Sequence, residues 1–141
     1  MKAKASIFGF PLHQILIVFP LGLLATSFFF DIAWLAKGRA ELAVVASWLI
    51  FAGVIGGAAA SLFGLIDWLA IPRGTHAWRV GAWHGGGNLI VAVLFAISWM
   101  IRRDAPANPE GVAIALSGCG VLLTVLTGWL GSQLAEQMED V

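Results

Sequence analysis

The side chains best suited to chemistry in this 141-residue chain are three histidines with a few carboxylates and amides. His84 and Asn88 flank Gly85-Gly86-Gly87 and lie four residues apart, so on a helix they share a face. His13 lies near the start of the first apolar segment, Asp67 at the end of the second, and His76 in the connection that follows. An imidazole near neutral pH carries a proton, accepts a hydrogen bond or ligates a metal. Three kinds of site are open to this set. His13 and His84 can be the two axial ligands of a b-type haem, with Asp67 and Asn88 orienting them. His13, Asp67 and His84 can hold a small metal ion or relay a proton, although Zn²⁺ asks for about four ligands. The same groups can also form a polar network that only joins helices.

Residues this far apart meet only if the elements that carry them run side by side. The chain is 60% hydrophobic and 11% charged, with mean hydropathy +0.90. Globular domains carry about 25% charged residues, so lipid is the better solvent for this surface. The formal net charge is zero, which gives no basic surface and no expectation of a nucleic-acid partner. Lys2 and Lys4 lead into a long apolar segment without a small-residue cleavage site, so no cleavable signal is expected. Four apolar segments, about 11–36, 41–69, 79–101 and 110–135, are each long enough to cross a ~30 Å hydrocarbon core as helices. Short connections predict one all-α integral membrane domain over 1–141, an up-down-up-down four-helix bundle.

The faces of these helices carry the polarity. Pro11 suits the first turn of helix one and Pro20 should kink it. His13, Pro20, Leu24, Ser27 and Asp31 share a face, which should look inward. Helix two has a stripe of Gly53, Gly57, Ala60 or Ser61, and Gly64, suited to close helix packing or to a flat ligand. Helix three aligns His84, Asn88, Val91, Phe95, Ser98 and Arg102, and helix four aligns Ser117, Gly120, Thr124, Thr127 and Gly131.

The topology then gathers His13, Asp67, His76, His84, Asn88, Trp129, Ser132 and Gln133 at one end. Asp31 meets Lys37, Arg39, Arg102 and Arg103 at the other. Asp31 is expected to pair with Arg102 or Arg103; the sharper alternative is a proton station linked through Ser27 towards His13, with Leu24 and Pro20 interrupting. Basic residues divide four (Lys2, Lys4, Arg73, Arg79) against four (Lys37, Arg39, Arg102, Arg103). The tight basic turns favour the cytoplasm for the second group and the periplasm for the histidine end. Cys119, the single cysteine, excludes an internal disulfide and is expected to be a buried, inert residue. No nucleophile elbow, P-loop, dinucleotide fingerprint or HExxH is present, so hydrolytic and kinase chemistry have no support.

Longer stretches are also informative. Pro11-Leu12-His13-Gln14 opens segment one, Gly64-Leu65-Ile66-Asp67-Trp68 to Ile71-Pro72-Arg73-Gly74 closes segment two, His84-Gly85-Gly86-Gly87-Asn88 opens segment three, and Thr127-Gly128-Trp129-Leu130-Gly131 closes segment four. In this order they resemble a bacterial family of predicted inner-membrane proteins, domain of unknown function 2231, over nearly the whole chain. The family pattern has His-Pro where this chain has His13-Gln14, and a Gly-rich acidic tail where it has Ser132-Gln133-Leu134-Ala135-Glu136. The resemblance implies a multi-pass protein of the bacterial inner membrane with a shared site of His13, Asp67, His84 and Asn88. Family members joined to Rieske iron–sulfur domains imply a membrane redox setting, although the lone Cys119 cannot supply such a cluster here. The expected function is therefore electron transfer through haem b held between helices one and three, with a quinone or redox protein as partner. The alternatives are an accessory subunit of a larger membrane complex and a small metal-ion or proton transporter.

Overall fold

The computed structural model describes residues 6–7 and 10–139. A two-residue antiparallel pair, β1 (Ser6–Ile7) with β2 (Phe10–Pro11), leads into four helices: α1 (Leu12–Lys37), α2 (Ala40–Leu69), α3 (His76–Arg102) and α4 (Gly111–Glu139). All four are long and apolar enough to cross a membrane, with span hydropathies of 1.6 to 2.2. Large apolar side chains such as Phe29, Trp48, Trp83 and Leu122 point outward, as a lipid-facing surface requires.

Local chemistry sets the ends. Pro11 is held in extended β2, so α1 starts one residue later than predicted, and the helix runs on through the buried Pro20. Gly38, at φ 65°, closes α1, and its N–H donates to Trp34 O at 2.7 Å. Gly74, at φ 84°, turns the α2–α3 connection. Thr75 then caps α3: its hydroxyl donates to Pro72 O and accepts from Trp78 N–H at 3.1 Å. That cap starts α3 at His76, three residues before the predicted boundary, and puts His76 on the helix instead of in the loop. Trp68 stacks on Trp78 at 5.3 Å and donates its indole N–H to Trp78 O, tying the ends of α2 and α3 together.

The helices form two hairpins: α1 packs mainly on α2, and α3 on α4. Pro20, Ser27 and Asp31 of α1 are buried, as are Val91, Phe95, Ser98 and Arg102 of α3, so both predicted inward faces look inward. An apolar layer of Ile50, Val91 and Phe95 fills mid-bundle, with Leu24, Val54, Trp99, Val121 and Leu123 around it. The glycine stripe of α2 is taken up by packing and offers no slot for a flat ligand. A Cβ added at Gly53 would lie 2.6 Å from Leu24 Cδ2, and one at Gly57 would lie 3.8 Å from Pro20 Cβ. Cys119 is exposed on the outer side of α4, contrary to the expectation of burial, because Ser117 and Gly120 take the inward positions.

Candidate functional site

His13 sits in the first turns of α1 and leans on α2. Its Nδ1 is 2.9 Å from Ala60 O, one turn before Gly64. A carbonyl only accepts, so Nδ1 carries a proton, and in the neutral ring Nε2 then keeps its lone pair. Gly64 makes the approach possible: a Cβ there would lie 2.9 Å from Nδ1. His84 is built the same way against α4. Its Nδ1 donates to Thr127 O at 2.8 Å, and a Cβ at Gly131 would lie 2.8 Å from its Cε1. Asn88, one turn on, places its amide nitrogen 3.0 Å from His84 Nε2, which therefore accepts. Both partners of His84 fix the same tautomer. The two rings are 6.3 Å apart, centre to centre, and nearly perpendicular at 88°.

An imidazole oriented by Nδ1–H to a backbone carbonyl is the usual state of a histidine that binds metal through Nε2. Here two such groups, from opposite hairpins, face one region of the half-buried bundle end. Nε2 of His13 has no hydrogen-bond partner among the described residues.

The other predicted site residues divide. Asn88 joins the site directly. Asp67 is half-buried at the end of α2, but among the described residues no three His, Cys, Asp or Glu side chains form a metal-holding group. The metal site of His13, Asp67 and His84 is thus not assembled. His76 is exposed at the first residue of α3. Trp129 and Ser132 face outward, and the Ser132 hydroxyl bonds Trp129 O of its own helix. Gly85 and Gly86 are exposed, with nothing within 4 Å of an added Cβ, so they do not line the space between the histidines. Gly87 does matter, because an added Cβ would collide with the methyl of Thr127, whose carbonyl orients His84. The two orienting carbonyls were the parts of the site missed from sequence. A backbone acceptor has no residue type; the accessible signal was Gly64 and Gly131, each one turn beyond its carbonyl.

At the opposite end Asp31 pairs with Arg102, the first of the two predicted partners. Arg102 donates to both carboxylate oxygens, at 2.8 and 3.2 Å, and both side chains are 0% exposed. Nη2 also donates to the hydroxyls of Ser98 and Ser117 at 2.9 and 3.2 Å. Ser98 donates in turn to Ala113 O at 2.6 Å. Arg102 Nε is buried without a partner among the described residues. Arg103 points outward, 3.7 Å from Asp104. Ser27 turns its hydroxyl to Leu24 O of its own helix, and the Ile50–Val91–Phe95 layer lies between this cluster and the histidines. A polar track from Asp31 to His13 is therefore closed.

A family model described as a predicted membrane protein (DUF2231) matches residues 9–139. No curated protein and no solved structure matches the chain.

Proposed function

Because the chain belongs to the DUF2231 family of predicted membrane proteins, its four apolar helices are read as membrane spans, and we propose that it is an electron-transfer protein holding a b-type haem between His13 and His84. The observation that carries this is the matched tautomer. Both Nδ1 atoms are committed to carbonyls of a neighbouring helix, which leaves two Nε2 bases from rings 6.3 Å apart. The donor set fits: His13 and His84 would supply the two protein ligands that a b-type haem takes, whereas an isolated zinc ion would need about four. When bound, haem supplies a one-electron couple.

The chain's own residues do the rest. Ala60 and Thr127 carbonyls hold the imidazoles in place. Asn88 donates to His84 Nε2 and keeps that lone pair aimed into the site, where haem, if bound, would take its place. Asp67, at the same end, is a base for a proton coupled to the electron, and the exposed Arg73 and Arg79 suit the propionates. A quinone or a soluble redox protein is the partner class.

We place the protein in a bacterial inner membrane. With Arg102 withdrawn into the bundle, the described basic residues divide three (Lys37, Arg39, Arg103) against two (Arg73, Arg79). The charge rule then favours the cytoplasm for the 38–39 and 103–110 turns and the periplasm for the histidine end.

The test is the visible spectrum of detergent-purified protein, air-oxidised and then dithionite-reduced. A Soret band with sharp reduced α and β bands, lost in both His13→Ala and His84→Ala, is the expected result. A folded, colourless protein from haem-replete cells that also ignores added haemin overturns it. One observation favours a second reading, the accessory subunit: Asn88 already satisfies His84 Nε2, as in a network that only locks helices. That reading predicts no colour and a membrane complex that co-purifies. Ion transport has less support, given the missing third ligand and the apolar layer.

A further inference from the structure

The likeness of the two histidine half-sites extends down the whole bundle. Adding 71 to an α1 number gives its counterpart in α3: His13 becomes His84, Leu24 becomes Phe95, Ser27 becomes Ser98 and Asp31 becomes Arg102. Adding 67 to an α2 number gives α4: Ala46 becomes Ala113, Gly53 becomes Gly120, Ala60 becomes Thr127 and Gly64 becomes Gly131. Of these residues, Ser27, Asp31, Ala46, Gly53 and Ala60 are buried, and so is each of their counterparts.

Contacts correspond as well as positions. His13 donates to Ala60 O over Gly64, and His84 donates to Thr127 O over Gly131. A Cβ at Gly53 would lie 2.6 Å from Leu24, and a Cβ at Gly120 would lie 2.7 Å from Phe95. The seams between hairpins match too. Gly118 packs on Phe28, and the counterparts, Phe51 and Trp99, lie 5.1 Å apart. Across the bundle diagonal, residues meet their own counterparts: His13 meets His84, and Asp31 meets Arg102. Contact of a position with its own equivalent is the signature of a two-fold axis.

We propose that the chain is a fused pair of equivalent helix hairpins related by a two-fold axis along the bundle, and that Asp31 and Arg102 are one position of this repeat given opposite charges, so that unlike hairpins pair and like ones are refused. The reason is electrostatic. Two first hairpins would bury Asp31 against Asp31, and two second hairpins Arg102 against Arg102. Neither arrangement leaves the buried charges compensated. Imidazoles carry no fixed charge and tolerate a twin, so His13 and His84 stay alike while position 31/102 diverges. The supporting shell has diverged with it: Ser117, which accepts from Arg102, stands where the first hairpin has Ile50. Within the histidine site the axis is broken by Asn88, whose counterpart is Ile17. The inference is independent of any cofactor.

Four full-length variants test it: Asp31→Arg, Arg102→Asp, the double exchange, and the double exchange with Ile50→Ser and Ser117→Ile. The readouts are the yield of monodisperse protein in detergent and the unfolding midpoint from tryptophan fluorescence. Each single variant should lose most of its folded yield or drop by about 10 °C or more. The double exchange should regain more than half of that loss, and the fourfold variant more still. If neither exchange surpasses the worse single variant, positions 31 and 102 are not equivalent and the proposal falls. It falls equally if the single variants are as stable as the parent, since the pair then locks nothing.

Discussion

The two ends of this bundle hold their polar groups in opposite ways. At one end Asp31 accepts twice from Arg102, Arg102 donates further to Ser98 and Ser117, and neither charged side chain is exposed. At the other end two half-buried imidazoles each spend one nitrogen on a backbone carbonyl; one remaining nitrogen meets only an amide, and the other has no protein hydrogen bond among the described residues. Both ends use corresponding positions of the two hairpins, so the fold alone does not explain the contrast. What differs is spare valence. A cluster whose charges are consumed by each other holds helices together; one that keeps lone pairs, positioned by main chain, is equipped to hold something else.

Arg102→Met leaves the Asp31 carboxylate buried and unpaired, which costs about 3–5 kcal/mol. Loss of folded protein, or a large drop in the SDS or thermal unfolding midpoint, is expected. Asp31→Leu with Arg102→Met removes both charges and should come back close to the parent. Persistence of the full loss in the double variant would mean that the carboxylate was not the problem.

Much of this contrast was legible in the sequence. Helical spacing on α1 put His13, Ser27 and Asp31 on one face, and the same spacing on α3 put His84, Ser98 and Arg102 together. Antiparallel topology then fixed which ends met. The choice of Arg102 over Arg103 follows from that face, because Arg103 is about 100° further round the helix. The carbonyls of Ala60 and Thr127 were not legible, since main-chain acceptors have no residue signature. The repeat was hidden for another reason. Fourteen residues separate Asp31 from Ala46, whereas ten separate Arg102 from Ala113, so the offset shifts from 71 to 67 and no single period runs through the chain. The glycine run at 85–87 drew attention in sequence, yet two of its three members face outward.

A middle-sized effect sharpens the histidine end. Gly131→Ala would press on the His84 ring and Gly64→Ala on the His13 ring, each at 2.8–2.9 Å from an imidazole atom. Overpacking of this kind costs about 1–3 kcal/mol. Each variant should also alter the reduced haem spectrum, while the same change at Gly22, where nothing lies within 4 Å, should leave it intact. His13→Ala and His84→Ala should cost less, about 1 kcal/mol each, because only a single half-buried hydrogen bond or two is lost. They should nevertheless abolish the bands. Equal stability loss at both ends of the bundle, with no spectral consequence, would erase the distinction between a lock and a site.

The smallest effect carries a change of sign within three adjacent residues. Gly85 and Gly86 lie on the outer side of α3 with open space around an added Cβ. Alanine there removes the conformational freedom of glycine from the unfolded chain and should stabilise by about 0.5–1 kcal/mol per site. Gly87→Ala meets the Thr127 methyl instead, so it should destabilise and push the Thr127 carbonyl away from His84. Unfolding midpoints of the three single variants read this directly: two should rise and one should fall. The spectrum adds an independent reading, unchanged in the first two and perturbed in the third. If all three glycines respond alike, the outer pair also serves the site, and the histidine pocket extends to the lipid-facing side of α3.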